Sequence, residues 1–97
     1  MTNLETIKKR LKDLKNVLTQ EYGISEIGIF GSYVRGEEKA TSDLDILVQV
    51  DKKMGLLRFI KIENYLSDIL GIKVDLVMKD VLKPAIGKHI LREVNYI

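Results

Sequence analysis

The sequence predicts an α/β fold, a small sheet of three to five strands with helices mainly on one face. Three observations carry that prediction. Two long stretches repeat apolar residues at three-and-four spacing, and three shorter ones centre on apolar residues two apart. The third is order: residues 44–78 run strand, long helix, strand, and a connection of about a dozen residues or more built around a helix makes a parallel crossover.

Leu4, Ile7, Leu11, Leu14 and Leu18 share one helical stripe, and Thr2 with Glu5 forms a capping-box pattern, so a helix is predicted from about Leu4 to Gln20. Gly23 stops it. Glu26 to Phe30 is short and β-rich and reads as the first strand, with Ile27 and Ile29 on one face. Gly31-Ser32 breaks the strand, Tyr33 to Arg35 makes a brief helical turn closed by Gly36, and Glu37 to Ser42 is a polar loop. Leu44, Ile46, Val48 and Val50 alternate with Asp43, Asp45, Leu47 and Gln49 as the second strand. Leu56, Phe59, Ile60, Leu66, Ile69 and Leu70 predict the second long helix, ended by Gly71. Val74, Leu76 and Met78 alternate with Lys73, Asp75 and Val77 as a third strand, and Pro84 opens a last helix toward Glu93. These helices suffice to cover one sheet face, so the other is expected to stay partly open and to carry the chemistry.

Ninety-seven residues, 45% apolar and 31% charged, fit one domain over 1–97, because independent domains run ~50–250 residues. A chain of this length buries only ~60–65% of its open-chain surface, so large substrates are expected at an exposed face. The absence of cysteine excludes disulfides, thiolate metal sites and cysteine nucleophiles. Apolar runs such as Ile46-Leu47-Val48 are far shorter than the ~20 residues of a membrane span. The N-terminus lacks the apolar stretch of an export signal, which predicts a cytoplasmic protein. Sixteen basic and fourteen acidic residues leave a formal charge of +2, too balanced to advertise nucleic-acid binding. The lysines and arginine between Lys8 and Lys15 read as a solvated helix face.

Asp43 and Asp45 stand two apart on a strand, which sends both carboxylates from one sheet face with Cα atoms ~6.5–7 Å apart. Asp75, between Val74 and Leu76, can join them. Two like charges at 4 Å repel by ~4 kcal/mol at an effective dielectric of 20, so three such groups call for cations. Hard oxygen donors select Mg²⁺ or Mn²⁺, and a pair of such ions ~3.5–4 Å apart clamps in-line attack on phosphorus. Gly31-Ser32, between strand and helical turn, offers backbone N–H groups and a hydroxyl to phosphate oxygens. Neither a P-loop nor a Gly-x-Gly-x-x-Gly string is present, and Asp43-Leu44-Asp45 lacks the Gly-Thr that follows the nucleophile of aspartyl phosphatases. His89 has no partner carboxylate at metal-ligand spacing, and Tyr22, Tyr33, Tyr65 and Tyr96 do not group as a stacking platform.

Gly31-Ser32, ten residues from Tyr33 to Ser42, then Asp43-Leu44-Asp45 resembles the Gly-Ser…Asp-x-Asp signature of the polymerase-beta-like nucleotidyltransferases. The fuller string IFGSYVRGEEKATSDLDILV looks like their minimal branch, often the antitoxin partner of HEPN-type ribonuclease toxins. The resemblance is strong from about Ile27 to Val77 and implies a nucleotidyltransferase-like mixed sheet. By it, Asp43 and Asp45 would bind two Mg²⁺ ions, with Mn²⁺ as a substitute, and Asp75 would ligate the second ion or accept the acceptor's proton. Asp75 is matched only by its place in a strand after the crossover helix. Gly31 and Ser32 would hold the triphosphate tail of ATP, and Arg35, on the turn after Ser32, would neutralise phosphate charge, with Lys39 a weaker candidate.

The implied function is transfer of AMP from ATP onto a hydroxyl, with release of pyrophosphate. Larger members of the superfamily resemble this core plus acceptor-holding domains, so the expected acceptor is another protein, a HEPN-type toxin modified on a side chain such as tyrosine. Two alternatives stay open: a non-catalytic nucleotide-binding antitoxin that acts by occlusion, and transfer to a small molecule or an RNA end. Self-association is also left open. The segment from Pro84 to Ile97 carries Ile86, Ile90, Leu91, Val94, Tyr96 and Ile97, more apolar side chains than one helix stripe buries, and some are expected to remain exposed as a docking surface.

Overall fold

The first helix, α1 (Leu4–Tyr22), starts where the side chain of Asn3 accepts the Thr6 N–H at 2.9 Å. Asparagine is a strong N-cap because its short carbonyl reaches an amide with no helical partner, so this role falls to Asn3. The structure, a computed structural model, describes residues 3–51, 54–82 and 84–97. Thr2 of the capping-box pattern and the side chain of Ile86 lie outside the described residues. Gly23 ends α1 with φ 71°, its N–H shared by the Leu18 and Thr19 carbonyls, two residues later than Gln20.

Strand β1 (Ile24–Phe30) also begins two residues before the predicted start. Its register against the next strand is irregular between Ile24 and Glu26, which hides its first residues from a period-two reading. A one-turn helix, α2 (Ser32–Arg35), and a polar loop lead into β2 (Leu44–Val50). Helix α3 (Leu56–Leu70) then crosses to β3 (Val74–Met78), and a 3-10 turn at Lys79–Val81 precedes α4 (Pro84–Glu93). The chain finishes with β4 (Asn95–Tyr96), a strand the sequence did not announce.

Sheet order is β3-β2-β1-β4. β2 and β3 are parallel, as the crossover requires, while β1 runs antiparallel to both β2 and β4, so the sheet is mixed. One face carries Ile27, Ile29, Leu44, Ile46, Val48, Val74 and Leu76, buried together with Ile7, Leu11 and Leu18 of α1 and Ile62, Leu66 and Leu70 of α3. Each such side chain contributes ~1.5–3 kcal/mol by leaving water, and this layer fixes the strand register below.

The second face is only partly open. Phe30 and Leu47 point to it and are 8% and 1% exposed, and Val94 sits where a Cβ on Gly28 would stand. The C-terminal residues therefore divide. Ile97 packs on the main core, its N–H on the Ile27 carbonyl at 2.9 Å, and Ile90 and Val94 are half-buried. Leu91 and Tyr96, at 46% and 48%, remain exposed. Among the described residues no helix is long and apolar enough to cross a membrane.

β3 is an edge strand whose outward amides are satisfied from α3. Ser67 Oγ accepts the Val74 N–H and Glu63 Oε2 accepts the Leu76 N–H, both at 2.9 Å. Closing these donors removes two sites at which another chain could add a strand. Glu63→Leu is expected to lower the unfolding free energy by ~1.5–3 kcal/mol, the worth of a hydrogen bond to a charged acceptor, measured by urea titration. An unchanged midpoint would mean that water replaces the carboxylate at no loss.

Candidate active site

Register brings the acidic residues together. Asp45 on β2 lies opposite Asp75 on β3 in the parallel ladder and opposite Phe30 on β1 in the antiparallel one. Asp43 stands just before β2, whose first residue is anchored by the Leu44 N–H on the Lys73 carbonyl at 2.8 Å. Leu44 is buried between the two aspartates, so its side chain holds the strand down while theirs leave by the other face. Asp43, Asp45 and Asp75 thus share one end of the sheet, Asp75 being exposed and on the outermost strand.

Gly31 follows Phe30 and adopts φ 84°, ψ −153°, a conformation only glycine takes without strain. A Cβ there would overlap Oδ2 of Asp45 and lie 2.9 Å from its Cγ. The glycine turn and the central carboxylate are therefore in direct contact, joined by the β1–β2 pairing. Ser32, half-buried, opens α2, and Gly36 closes it with its N–H on the Ser32 carbonyl.

The carboxyl of Asp45 is pushed up to about 6, first by burial, then by the negative charges of Asp75 and Asp43, with Arg35 opposing. The fields of the three aspartates overlap at that atom group, and all three offer hard oxygen donors, a set that fits Mg²⁺ or Mn²⁺. Among the described residues no three acidic or histidine side chains close into a ready cage. Like charges without a counter-cation do not converge.

The sign of the pH effect follows. Because the fold favours the protonated form of Asp45, ionising it destabilises the metal-free protein, and this loss accrues from the ordinary carboxylate range up to about pH 6. The melting temperature of the metal-free wild type, relative to Asp45→Asn, is expected to fall between pH 4 and pH 7. Millimolar Mn²⁺ at pH 7 should raise the wild type alone. Parallel profiles for the two proteins, with equal responses to Mn²⁺, would contradict this.

Arg35 is not a free cation. Its Nη1 donates to Oε1 of Glu93 and its Nε lies 3.5 Å from Oε1 of Glu37. Glu93 also accepts the Gly31 N–H on Oε2 at 3.0 Å. Nothing in the pattern of the sequence marked Glu93, which arrives from the far end of the chain on α4. Its one oddity is an acidic residue at a helix C-terminus, against the helix dipole. Lys39 sits in the exposed loop, where its N–H bonds Ser42 Oγ at 2.8 Å just ahead of Asp43. His89 is exposed on α4, and Tyr33 is buried in the main core.

Comparison with known proteins bears on the family and the fold. Residues 5–97 match the model of the nucleotidyltransferase domain. A protein of Thermococcus cleftensis named protein adenylyltransferase MntA is 52% identical over 97 residues, spanning 100% of this chain and 98% of its own. A solved minimal nucleotidyltransferase structure aligns with a TM-score of 0.82 at 32% identity, over 97% of this chain and 95% of that one, and has the same mixed sheet and helices. A chain from the complex of tri-AMPylated Shewanella oneidensis HEPN toxin with MNT antitoxin aligns at a TM-score of 0.66 and 20% identity, over 93% of this chain and 66% of that one.

Proposed function

The chain belongs to the nucleotidyltransferase domain family, and from that premise we propose that it is a magnesium-dependent protein adenylyltransferase, the antitoxin to a cytoplasmic HEPN-type toxin. The observation that carries this reading is the strand register that sets Asp45 between Asp75 and the Gly31 turn. Acid groups for metal and a turn for phosphate thereby stand side by side.

Asp43, Asp45 and Asp75 would hold the ions, whose chemistry is to neutralise charge at the phosphorus and at the attacking oxygen. Gly31 and Ser32 orient the triphosphate so that its α-phosphorus faces the aspartates. The acceptor oxygen bonds to that phosphorus, the bond to the bridging oxygen breaks, and pyrophosphate leaves. Asp75 would ligate the second ion or take the acceptor's proton, and its exposure on the outer strand, where a hydroxyl on a bulky partner could reach it, supports the second role. The name of the Thermococcus cleftensis relative supports a protein acceptor and AMP as the group moved. The HEPN complex, found on the same fold, supports a HEPN-type toxin, with a tyrosine hydroxyl as the first acceptor to test.

Catalysis and occlusion are separated by what persists. The toxin is incubated with the chain, ATP and Mg²⁺, the chain is then stripped away, and the toxin's activity is measured. The reading predicts that inhibition survives removal of the chain and requires ATP. Full recovery of activity, with equal inhibition by the Asp43→Asn, Asp45→Asn protein, would identify an occluding binder instead.

A further inference from the structure

Glu93 occupies a place where an anion needs compensation. It is the last residue of α4, where unpaired carbonyls repel negative charge, yet its side chain is only 22% exposed and engaged at both oxygens. Oε2 accepts the Gly31 N–H at 3.0 Å and Oε1 accepts from Arg35 Nη1. Gly31 is a donor that the proposed function gives to the triphosphate, and Arg35 is the cation that the family resemblance of the sequence assigns to phosphate charge. A carboxylate and a phosphate present the same chemistry to them, a fork of anionic oxygens that takes one amide and one guanidinium proton. The Gly31 amide has little freedom to serve both at once, because the residue is held at φ 84° against the Asp45 carboxylate.

We propose that Glu93 is an internal stand-in for a nucleotide phosphate: it fills the anion position made by Gly31 and Arg35, and a triphosphate binds by replacing it there. The inference rests on the nucleotidyltransferase reading of those two residues. The exchange is a side-chain movement. Asn95 and Tyr96 remain paired with Ile29 and Gly28, and the Ile97 N–H stays on the Ile27 carbonyl, so the end of α4 is held while the carboxylate swings away. Only molecules with Glu93 released accept the triphosphate in full, and the observed affinity is the intrinsic one reduced by that fraction. Glu93 thereby sets nucleotide affinity without touching the reacting atoms.

The test uses the full chain with ATP and Mg²⁺ in titration calorimetry, beside amide NMR of Gly31. Glu93→Gln keeps the shape and removes the charge, and is expected to bind ATP on the order of tenfold more tightly, while adenosine, which lacks phosphates, gains nothing. In the wild type, ATP should shift the Gly31 amide as the carboxylate leaves. A folded Glu93→Gln protein with unchanged or weaker ATP affinity would overturn the proposal and make Glu93 a support for Arg35. Should that variant fail to fold, a wild-type Gly31 amide that stays on Glu93 at saturating ATP overturns it equally. Absence of ATP binding in both proteins would overturn the nucleotide reading itself.

Discussion

Gly31→Val abolishes triphosphate binding, with affinity reduced more than ~100-fold in titration calorimetry. Two effects combine. The residue sits at φ 84°, where a β-branched side chain is strained by ~1–3 kcal/mol, and its Cβ would overlap the Asp45 carboxylate. Relief of that overlap must move either the glycine turn or the central aspartate, and both belong to the proposed site. The main core lies on the opposite sheet face and does not include Gly31, so a cooperative melt should survive. Ser32→Ala removes one hydrogen bond to a charged group and is milder, ~1.5–3 kcal/mol or about ten- to a hundredfold in affinity. Wild-type ATP affinity in Gly31→Val would take the turn out of the site.

Asp43→Asn combined with Asp45→Asn is expected to reduce nucleotidyl transfer by about a thousandfold or more, since metal stabilisation of the transition state is worth several kcal/mol and each ~1.4 kcal/mol is tenfold. Stability should move the other way. Asp45 ionises against burial and two neighbouring carboxylates, so neutral amides at both positions remove repulsion and raise the metal-free melting temperature at pH 7. Loss of activity accompanied by a gain in stability is the signature of acids gathered for function at the expense of the fold. A double variant that is less stable and still active would mean these aspartates serve structure.

Much of this architecture could be read from the chain before its coordinates. The stripe through Ile7, Leu11 and Leu18 states which face of α1 is buried. On α3 the predicted stripe holds only in part: Leu66 and Leu70 are in the core, Leu56 and Ile60 are exposed, and the fully buried Ile62 was not among its residues. The alternation from Leu44 to Val48 states which strand face carries the aspartates. The parallel crossover states that β2 and β3 run the same way and that Asp75 can join the aspartates' face, while its place directly opposite Asp45 is set by the register and was seen only in the structure. Features decided by contacts distant in sequence were not legible. β4 is a strand because Asn95 and Tyr96 meet Ile29 and Gly28, and no local preference in two residues records that. Glu93 reaches Gly31 across 62 positions of sequence, and it turned Arg35 from an expected free cation into a paired one. Leu47 looked like a solvent-side residue of β2 and is buried because the sheet's second face is partly covered.

If the aspartates at the end of β2 and β3 carry the transfer of AMP to a protein, intact-mass spectrometry of a HEPN-type partner, incubated with this chain, ATP and Mg²⁺, will register it. The expected result is a mass increase of one or more adenylyl groups, absent without ATP and absent with the Asp43→Asn, Asp45→Asn protein. An unmodified partner mass under conditions where the wild-type chain binds both ATP and the partner would contradict it.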